Sequence, residues 1–279
     1  MSSKVCWVIG SPVEHSLSPV IHNAAFAALD LDWTYFAVAV PDGRAGDAVA
    51  AMRSLRLGGM SVTMPHKTAV AAAVDTITPR AERLGAVNCL SWRGAGIEGD
   101  STDGPGFLDS LRIDHGWEPE GRRALVVGAG GSARAVVAAL AEAGAAEVAV
   151  ANRDEGRAAR AAALADGRGR VATVDEAADA DLVVNATPVG MGGDPTSPVP
   201  ADRVGAGQVV ADLVYDPIET PLLAAARARG AMPVNGVGML VHQAAHAFRA
   251  WTGEDPPVEV MSAAAVAALA HVHGPPASR

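Results

Sequence analysis

Two consecutive series of alternating strand and helix patterns predict an α/β chain built on mainly parallel sheets. Three observations carry that expectation. Short apolar runs rich in strand formers recur along the chain, each followed by a helical stretch. A glycine-rich turn, GAGGSA at 128–133, joins one such run to its helix. The 279 residues are 49% hydrophobic and 19% charged, enough apolar material for one large or two medium domains.

The first series opens with VCWVIG (5–10) as a strand. SPVIHNAAFAALD (18–30) follows as a helix, with Ser18 as N-cap and Pro19 at the first helical position. TYFAVAV (34–40) is a strand, 43–56 a helix, 58–62 a strand, 65–75 a helix, and AVNCLSW (86–92) a strand. After GDSTDG (99–104) a helical pattern runs to about 113, and the polar stretch DHGWEPEGRR follows. The second series holds ALVVGAGGSARAVVAALAEAG (124–144), EVAVANR (147–153), ADLVVNATP (180–188) and QVVADLVYDP (208–217). Alanine-rich helices close the chain at 236–252 and 258–271, and HGPPASR is expected to fray.

The formal charge of −9 argues against a nucleic-acid partner and against anionic membranes, since both need a basic face. Cys6 and Cys89 are the only cysteines, with no CxxC spacing, as in a reducing compartment. The apolar run near the first residues is too short for a signal peptide. The longest apolar stretch, 135–150, carries Glu142 and Glu147 and cannot cross a bilayer. A cytoplasmic protein is expected.

The glycine turn has the spacing G-x-G-x-x-A at Gly128, Gly130 and Ala133, between an apolar strand and an apolar helix. Gly128 permits the tight turn, and Gly130 lets a pyrophosphate approach the backbone. Ala133 keeps the helix close to the strand, and the helix N-terminus attracts the phosphate charge. A bare glycine turn is a weak signal; this strand-turn-helix context makes it a dinucleotide fingerprint. At the end of the next strand, an acidic residue would hold a ribose hydroxyl, whereas arginine accommodates a 2′-phosphate. Here Asn152 is followed by Arg153 and, four residues on, Arg157, which predicts NADP; Asp154 between them pulls toward NAD.

In the first series, polar residues cluster where strands end: Ser16 and Ser18, Thr63 and Lys67, then Asn88 and Asp103. Each also has an ordinary structural explanation. Ser18 could cap a helix, Asn88 make a turn, and Lys67 be a solvated charge. A lysine in the first turn of a helix opposes the macrodipole, which is a small reason to suspect function.

These motifs together resemble the shikimate dehydrogenase family over nearly the full length, from GSPVEHSLSPVIHNAAF to NGVGMLVHQAAHAF. The matching elements include the serine pair, V-T-x-P-x-K, GAVN, STDGPGF, GAGGSARAV, NATPVGM and DLVYDP. The resemblance implies two α/β domains flanking a cleft. Residues 1–102, completed by 237–279, would bind the substrate, and 103–236 would form a Rossmann-type NADP-binding domain. It implies reversible, NADPH-dependent reduction of 3-dehydroshikimate to shikimate, a step toward the aromatic amino acids.

Position by position, Ser16, Ser18 and Tyr215 match the family's residues for the substrate carboxylate. Thr63, Asn88 and Gln243 match those for the ring hydroxyls. Lys67 and Asp103 match the catalytic pair; the lysine fits either a proton donor or an electrostatic stabiliser of the developing alkoxide. Gly128, Ala129, Gly130, Gly131 and Ser132 match the pyrophosphate loop. Asn152, Arg153, Asp154 and Arg157 match the adenosine-phosphate site, and Leu213 and Gly236 the nicotinamide contacts. The chain departs from the common pattern at Ser61 and Ser101, where many members have Asn, and at Asp154, where many have Thr.

Three rivals are weighed. A quinate or quinate/shikimate dehydrogenase using NAD is favoured only by Asp154, since the serine pair is kept. A catalytically inert nucleotide sensor would show damage at Lys67 or Asp103, and both are present. A metal site at His242 and His246 lacks an HExxH motif and a third acidic ligand, so no metal is expected. A monomer and a homodimer fit equally.

Overall fold

The computed structural model describes residues 3–273, so most of the stretch expected to fray lies outside the described residues. The chain divides into two compact units. One holds the described residues through Thr102 and those from Val241 onward; the other holds Asp103–Leu240.

In the first unit the strands are β1 (Lys4–Gly10), β2 (Trp33–Ala39), β3 (Gly59–Val62), β4 (Thr76–Ile77), β5 (Cys89–Arg93) and β6 (Gly96–Asp100). They form one sheet in the order β2-β1-β3-β5-β6-β4. The pairs β1–β2 and β1–β3 are parallel, but β3–β5 and β5–β6 are antiparallel. Helices α1 (Ser18–Ala28), α2 (Ala45–Leu55) and α3 (Pro79–Leu84) alternate with the strands. The apolar core gathers Ile9, Met60, Val62, Leu90 and Ile97 with Val49 and Met52 of α2.

The second unit is a single parallel sheet of β7 (Arg123–Val127), β8 (Glu147–Ala151), β9 (Gly169–Val171), β10 (Leu182–Asn185), β11 (Val209–Asp212) and β12 (Met232–Val234). Its order, β12-β11-β10-β7-β8-β9, is that of a dinucleotide-binding Rossmann sheet, with the switch point between β7 and β10. Helices α4 (Asp103–Asp109), α5 (Gly131–Glu142), α6 (Glu155–Ala162) and α7 (Pro221–Ala228) belong to this unit. Alternate strand residues feed two cores. Val126, Val150 and Val184 pack on one face, and Leu125, Ala149 and Val183 on the other. Burial on both faces is why these strands read as unbroken apolar runs. The chain closes with α8 (Gly236–Thr252) and α9 (Val258–His273).

Three expectations change. Residues 65–75 form a turn and one short 3₁₀ segment, Ala69–Ala72, with Met64–Pro65 in the cis form. The Lys67 carbonyl, which an α-helix would pair with Ala71, instead accepts from the Val87 amide at 2.7 Å. A long-range bond therefore outcompetes the local ladder, and the macrodipole misfit at Lys67 does not arise. Ser18 opens α1, but the cap position is Leu17 and no side chain caps the helix. Asn88 precedes an antiparallel strand, so it stands at an amino end and not a carboxyl end.

Candidate active site

Strand register explains why the polar residues of the first unit converge. Ile9 is level with Val62, and Ser61 with Cys89, which in turn faces Asp100. Because β5 runs backwards, Asn88 and Ser101 lie level with Val62, and Thr63 is the next residue along, so all three come to one end of the sheet. Backbone bonds tighten this end: Val62 donates to the Asn88 carbonyl (2.8 Å), and Thr63 to that of Ile9 (2.9 Å). A side chain added at Gly10 would strike the Thr63 methyl at 2.5 Å, so only glycine lets the Thr63 turn sit this close.

Asn88 is buried, and its side-chain amide bonds Thr102. The Thr102 amide donates to Asn88 Oδ1 (2.7 Å), and Asn88 Nδ2 donates to Thr102 Oγ1 (3.0 Å). The residue before Asp103 is thus fixed to the residue that follows Val87, the partner of Lys67. Ser16 Oγ, just before α1, accepts from the Ser18 amide at 3.3 Å. Ser18 itself is buried, and Gln243 is half-buried on α8.

In the second unit, Asp103 is the first residue of α4 and is buried, where the helix N-terminus favours its charge. Ser132 Oγ donates to Asp103 Oδ2 at 3.4 Å, which sets the carboxylate beside the glycine turn. Gly104 lies against the Ala135 carbonyl, 3.0 Å from where a Cβ would stand, and so lets α4 pack closely on α5.

The glycine turn has the geometry its spacing predicts. Gly128 has φ +117°, and a Cβ there would be 2.8 Å from the Ala186 carbonyl. At Gly130, by contrast, a Cβ would meet no protein atom, so packing within the chain does not demand glycine. The space over Gly130 is open, as a turn that receives a pyrophosphate would leave it. Gly130 is the N-cap of α5 and Ala133 is fully buried.

Asn152, Arg153, Asp154 and Arg157 follow the carboxyl end of β8, and both arginines are exposed. Asp154 is the N-cap of α6, its Oδ1 accepting from the Arg157 amide at 2.9 Å. The carboxylate that argued for NAD is therefore engaged by its own helix. The sequence reading missed Arg134, one turn into α5. It is half-buried, and its pKa is lowered by burial first and by the nearby Arg157 charge second. Two guanidinium groups so placed form a local cationic site in an acidic protein.

A further group sits beyond β10 and β11. Asp212 is buried and accepts from Thr220 Oγ1 (2.7 Å), Asn185 Nδ2 (2.9 Å) and the Val214 amide (3.0 Å). The network shapes the 213–215 segment, which includes Leu213 and half-buried Tyr215. Burial, then the Asp216 charge, raises the Tyr215 pKa. Gly236 lies hard against Leu213, whose carbonyl would be 2.5 Å from an added Cβ, so the two residues are brought together. The motifs NATPVGM and DLVYDP carry Asn185 and Asp212, to which the sequence reading attached no role, although it gave roles to Leu213 and Tyr215.

Burial pushes Asp212 up to about 6, despite the three donors. The folded protein therefore holds this proton where the unfolded chain, near 3.9, has released it. Its effect on stability is lost as pH rises from about 4 to about 6, on the order of 2–3 kcal/mol. Relative to Asp212→Asn, the wild-type unfolding midpoint should fall across that window. Parallel curves for the two proteins would refute the assignment.

Among the described residues no group of three or more His, Cys, Asp or Glu could hold a metal ion, and no helix is long and apolar enough to cross a membrane.

A parallel sheet of this strand order, with a glycine turn opening a helix at its switch point, is that of a dinucleotide-binding protein. Three family models match: the shikimate dehydrogenase substrate binding domain at 8–90, shikimate/quinate 5-dehydrogenase at 114–189, and the shikimate 5′-dehydrogenase C-terminal domain at 236–266. A shikimate dehydrogenase (NADP(+)) of Methanopyrus kandleri is 46% identical over 271 residues, covering 93% of each chain. The solved shikimate 5-dehydrogenase of Thermus thermophilus, in complex with NADP(H) and shikimate, is 39% identical with a TM-score of 0.90. That match covers 95% of this chain and 100% of the other. A quinate dehydrogenase of Corynebacterium glutamicum in complex with NAD is 33% identical, with a TM-score of 0.87 and coverage of 95% and 99%. The chain belongs to the shikimate dehydrogenase family.

Proposed function

We propose that this protein is an NADP-dependent shikimate dehydrogenase, reducing the ketone of 3-dehydroshikimate to the alcohol of shikimate and catalysing the reverse oxidation. The observation that carries this is the bonded framework of Lys67, Val87, Asn88 and Thr102, which fixes the lysine-bearing turn and the residue before Asp103 to one end of the sheet. The relatives named above supply the substrate and the cofactor.

In this reading the substrate carboxylate meets the hydroxyls of Ser16, Ser18 and Tyr215, and the ring hydroxyls meet Thr63, Asn88 and Gln243. NADPH, when bound, supplies the hydride. The ketone oxygen gains negative charge as it is reduced, and the Lys67 ammonium answers that charge and can deliver the proton. Asp103 orients the ammonium and a substrate hydroxyl. Gly128 to Ser132 and the α5 N-terminus receive the pyrophosphate, and Leu213 and Gly236 offer backbone to the nicotinamide. The substrate domain is 1–102 with 237–279, and the NADP domain 103–236. The protein acts on a small molecule, without nucleic acid or membrane, in the cytoplasm; a homodimer suits it as well as a monomer.

NADP is favoured over NAD because Arg153 and Arg157 can hold a 2′-phosphate while Asp154 is committed to capping. Arg153→Ala and Arg157→Ala should each lower kcat/KM for NADP by about tenfold or more, the worth of one charge-assisted hydrogen bond, while NAD changes little. Equal losses with both cofactors would place these arginines elsewhere. The activity itself is tested by following NADPH consumption on 3-dehydroshikimate; a pure, folded protein with no turnover would overturn the proposal.

A further inference from the structure

The first unit contains a buried phenol whose presence packing does not explain. Tyr35 on β2 is 1% exposed, and its hydroxyl has no partner in hydrogen-bond geometry. Its ring is stacked on His22 at 4.4 Å between centroids and stands beside Trp251 at 5.8 Å. His22 is fully buried, neither ring nitrogen has a partner, and burial lowers its pKa to about 3, so it is a neutral stacking plate. A phenylalanine would fill this aromatic slot without leaving a hydroxyl unsatisfied, which costs roughly 1–3 kcal/mol when buried.

The backbone around the ring is fixed with unusual completeness. Asn23 on α1 donates through Nδ2 to the Tyr35 carbonyl (3.0 Å), and its Oδ1 accepts from the Tyr35 amide (2.8 Å). Consecutive residues of α1 thus hold Tyr35 by its backbone and by its ring. Ser18 lies four residues before His22, so the two side chains share a helix face. A ring stacked on His22 with its hydroxyl toward the helix start reaches Ser18. Burial raises the phenol's pKa, and the hydroxyls of Ser61 first and of Ser18 after it are close enough to oppose that rise.

Resting on the activity proposed above, we propose that Tyr35 is a positioning residue for Ser18. Its hydroxyl donates to Ser18 Oγ when the carboxylate is bound, so that the serine's own proton is turned toward the substrate. The serine hydroxyl can serve both bonds, because it accepts and donates at once. No covalent step is involved. Ser61 is on β3, with β1 between it and the β2 strand that carries Tyr35, and it is the other hydroxyl the phenol could reach.

The test is a double-mutant cycle read by shikimate binding and by steady-state kinetics. Tyr35→Phe preserves the ring and its stacking and should leave the thermal midpoint within a few degrees of wild type. It should weaken shikimate binding and raise its KM by about tenfold, with much smaller changes in kcat and in the KM for NADP. An analogue lacking the carboxylate should bind both proteins alike. Combined with Ser18→Ala, Tyr35→Phe should add little further loss; combined with Ser61→Ala, its effect should persist. Unchanged shikimate affinity in Tyr35→Phe, or losses that multiply independently with Ser18→Ala, would overturn the inference. Wild-type protein that binds no shikimate would instead sink the proposed function, and this inference with it.

Discussion

Replacing Lys67 with alanine is expected to lower kcat by about 1,000-fold, the range that loss of a positioned proton donor and its charge produces. The ammonium acts on negative charge that forms only as the ketone is reduced, so KM should move far less than kcat. The fold should survive, because the backbone carbonyl of residue 67 ties the turn to Val87. An alanine keeps that bond. Circular dichroism, thermal unfolding and NADP binding should therefore match wild type while turnover collapses. A variant that retains more than a tenth of wild-type kcat would remove Lys67 from the chemistry.

Asp103→Asn is expected to cost about 100-fold or more in kcat, since in the proposed mechanism an amide keeps an acceptor oxygen but loses the negative charge and the basicity of the carboxylate. The change is nearly isosteric. Asp103 opens α4, and an asparagine at that position is tolerated by the helix start, although it gives up a favourable interaction of about 0.3–1 kcal/mol with the dipole. A small loss of stability beside a large loss of turnover is the expected signature. If turnover and stability fall together, with kcat per folded molecule unchanged, Asp103 is structural.

The fold was legible in the sequence wherever local pattern and burial agree. The strands of the second unit are buried on both faces, so Leu125 to Val127, Val148 to Val150 and Leu182 to Val184 advertise themselves as apolar runs. The glycine turn was legible for a different reason, because Gly128 answers a backbone demand that no other residue meets cheaply. What escaped was set by long-range pairing. β6 is five residues with glycine at Gly96 and Gly99, and it is a strand because it pairs antiparallel with β5. The two-residue β4 exists only through β6, with Asp75 bonded to Ile97 in both directions. The alanines at 69–73 favour a helix locally, and the Val87 amide prevented one by taking the Lys67 carbonyl.

The site followed the same division. Residue types at strand ends named Ser16, Ser18, Thr63, Lys67, Asn88 and Asp103, whereas Tyr215, Gln243, Leu213 and Gly236 came only from the family resemblance; register brings Thr63, Asn88 and Ser101 to one end of the sheet by an antiparallel strand that the alternation did not suggest. Arg134 was invisible because it sits inside a helical pattern, with nothing local to separate it from a solvated charge. Asp154 was ambiguous from composition alone. Its bond to the Arg157 amide resolves what its side chain does.

The most direct measurement is a four-way comparison of kcat/KM on the purified wild-type protein, with shikimate or quinate as the alcohol and NADP or NAD as the acceptor. Shikimate with NADP should give the highest value, since the curated relatives are NADP(+) shikimate dehydrogenases and the proposed site keeps the serine pair of that group and offers two arginines to the 2′-phosphate. Highest turnover of quinate with NAD would contradict the account. It would mean that Asp154 faces the ribose and that the serine pair does not select the substrate.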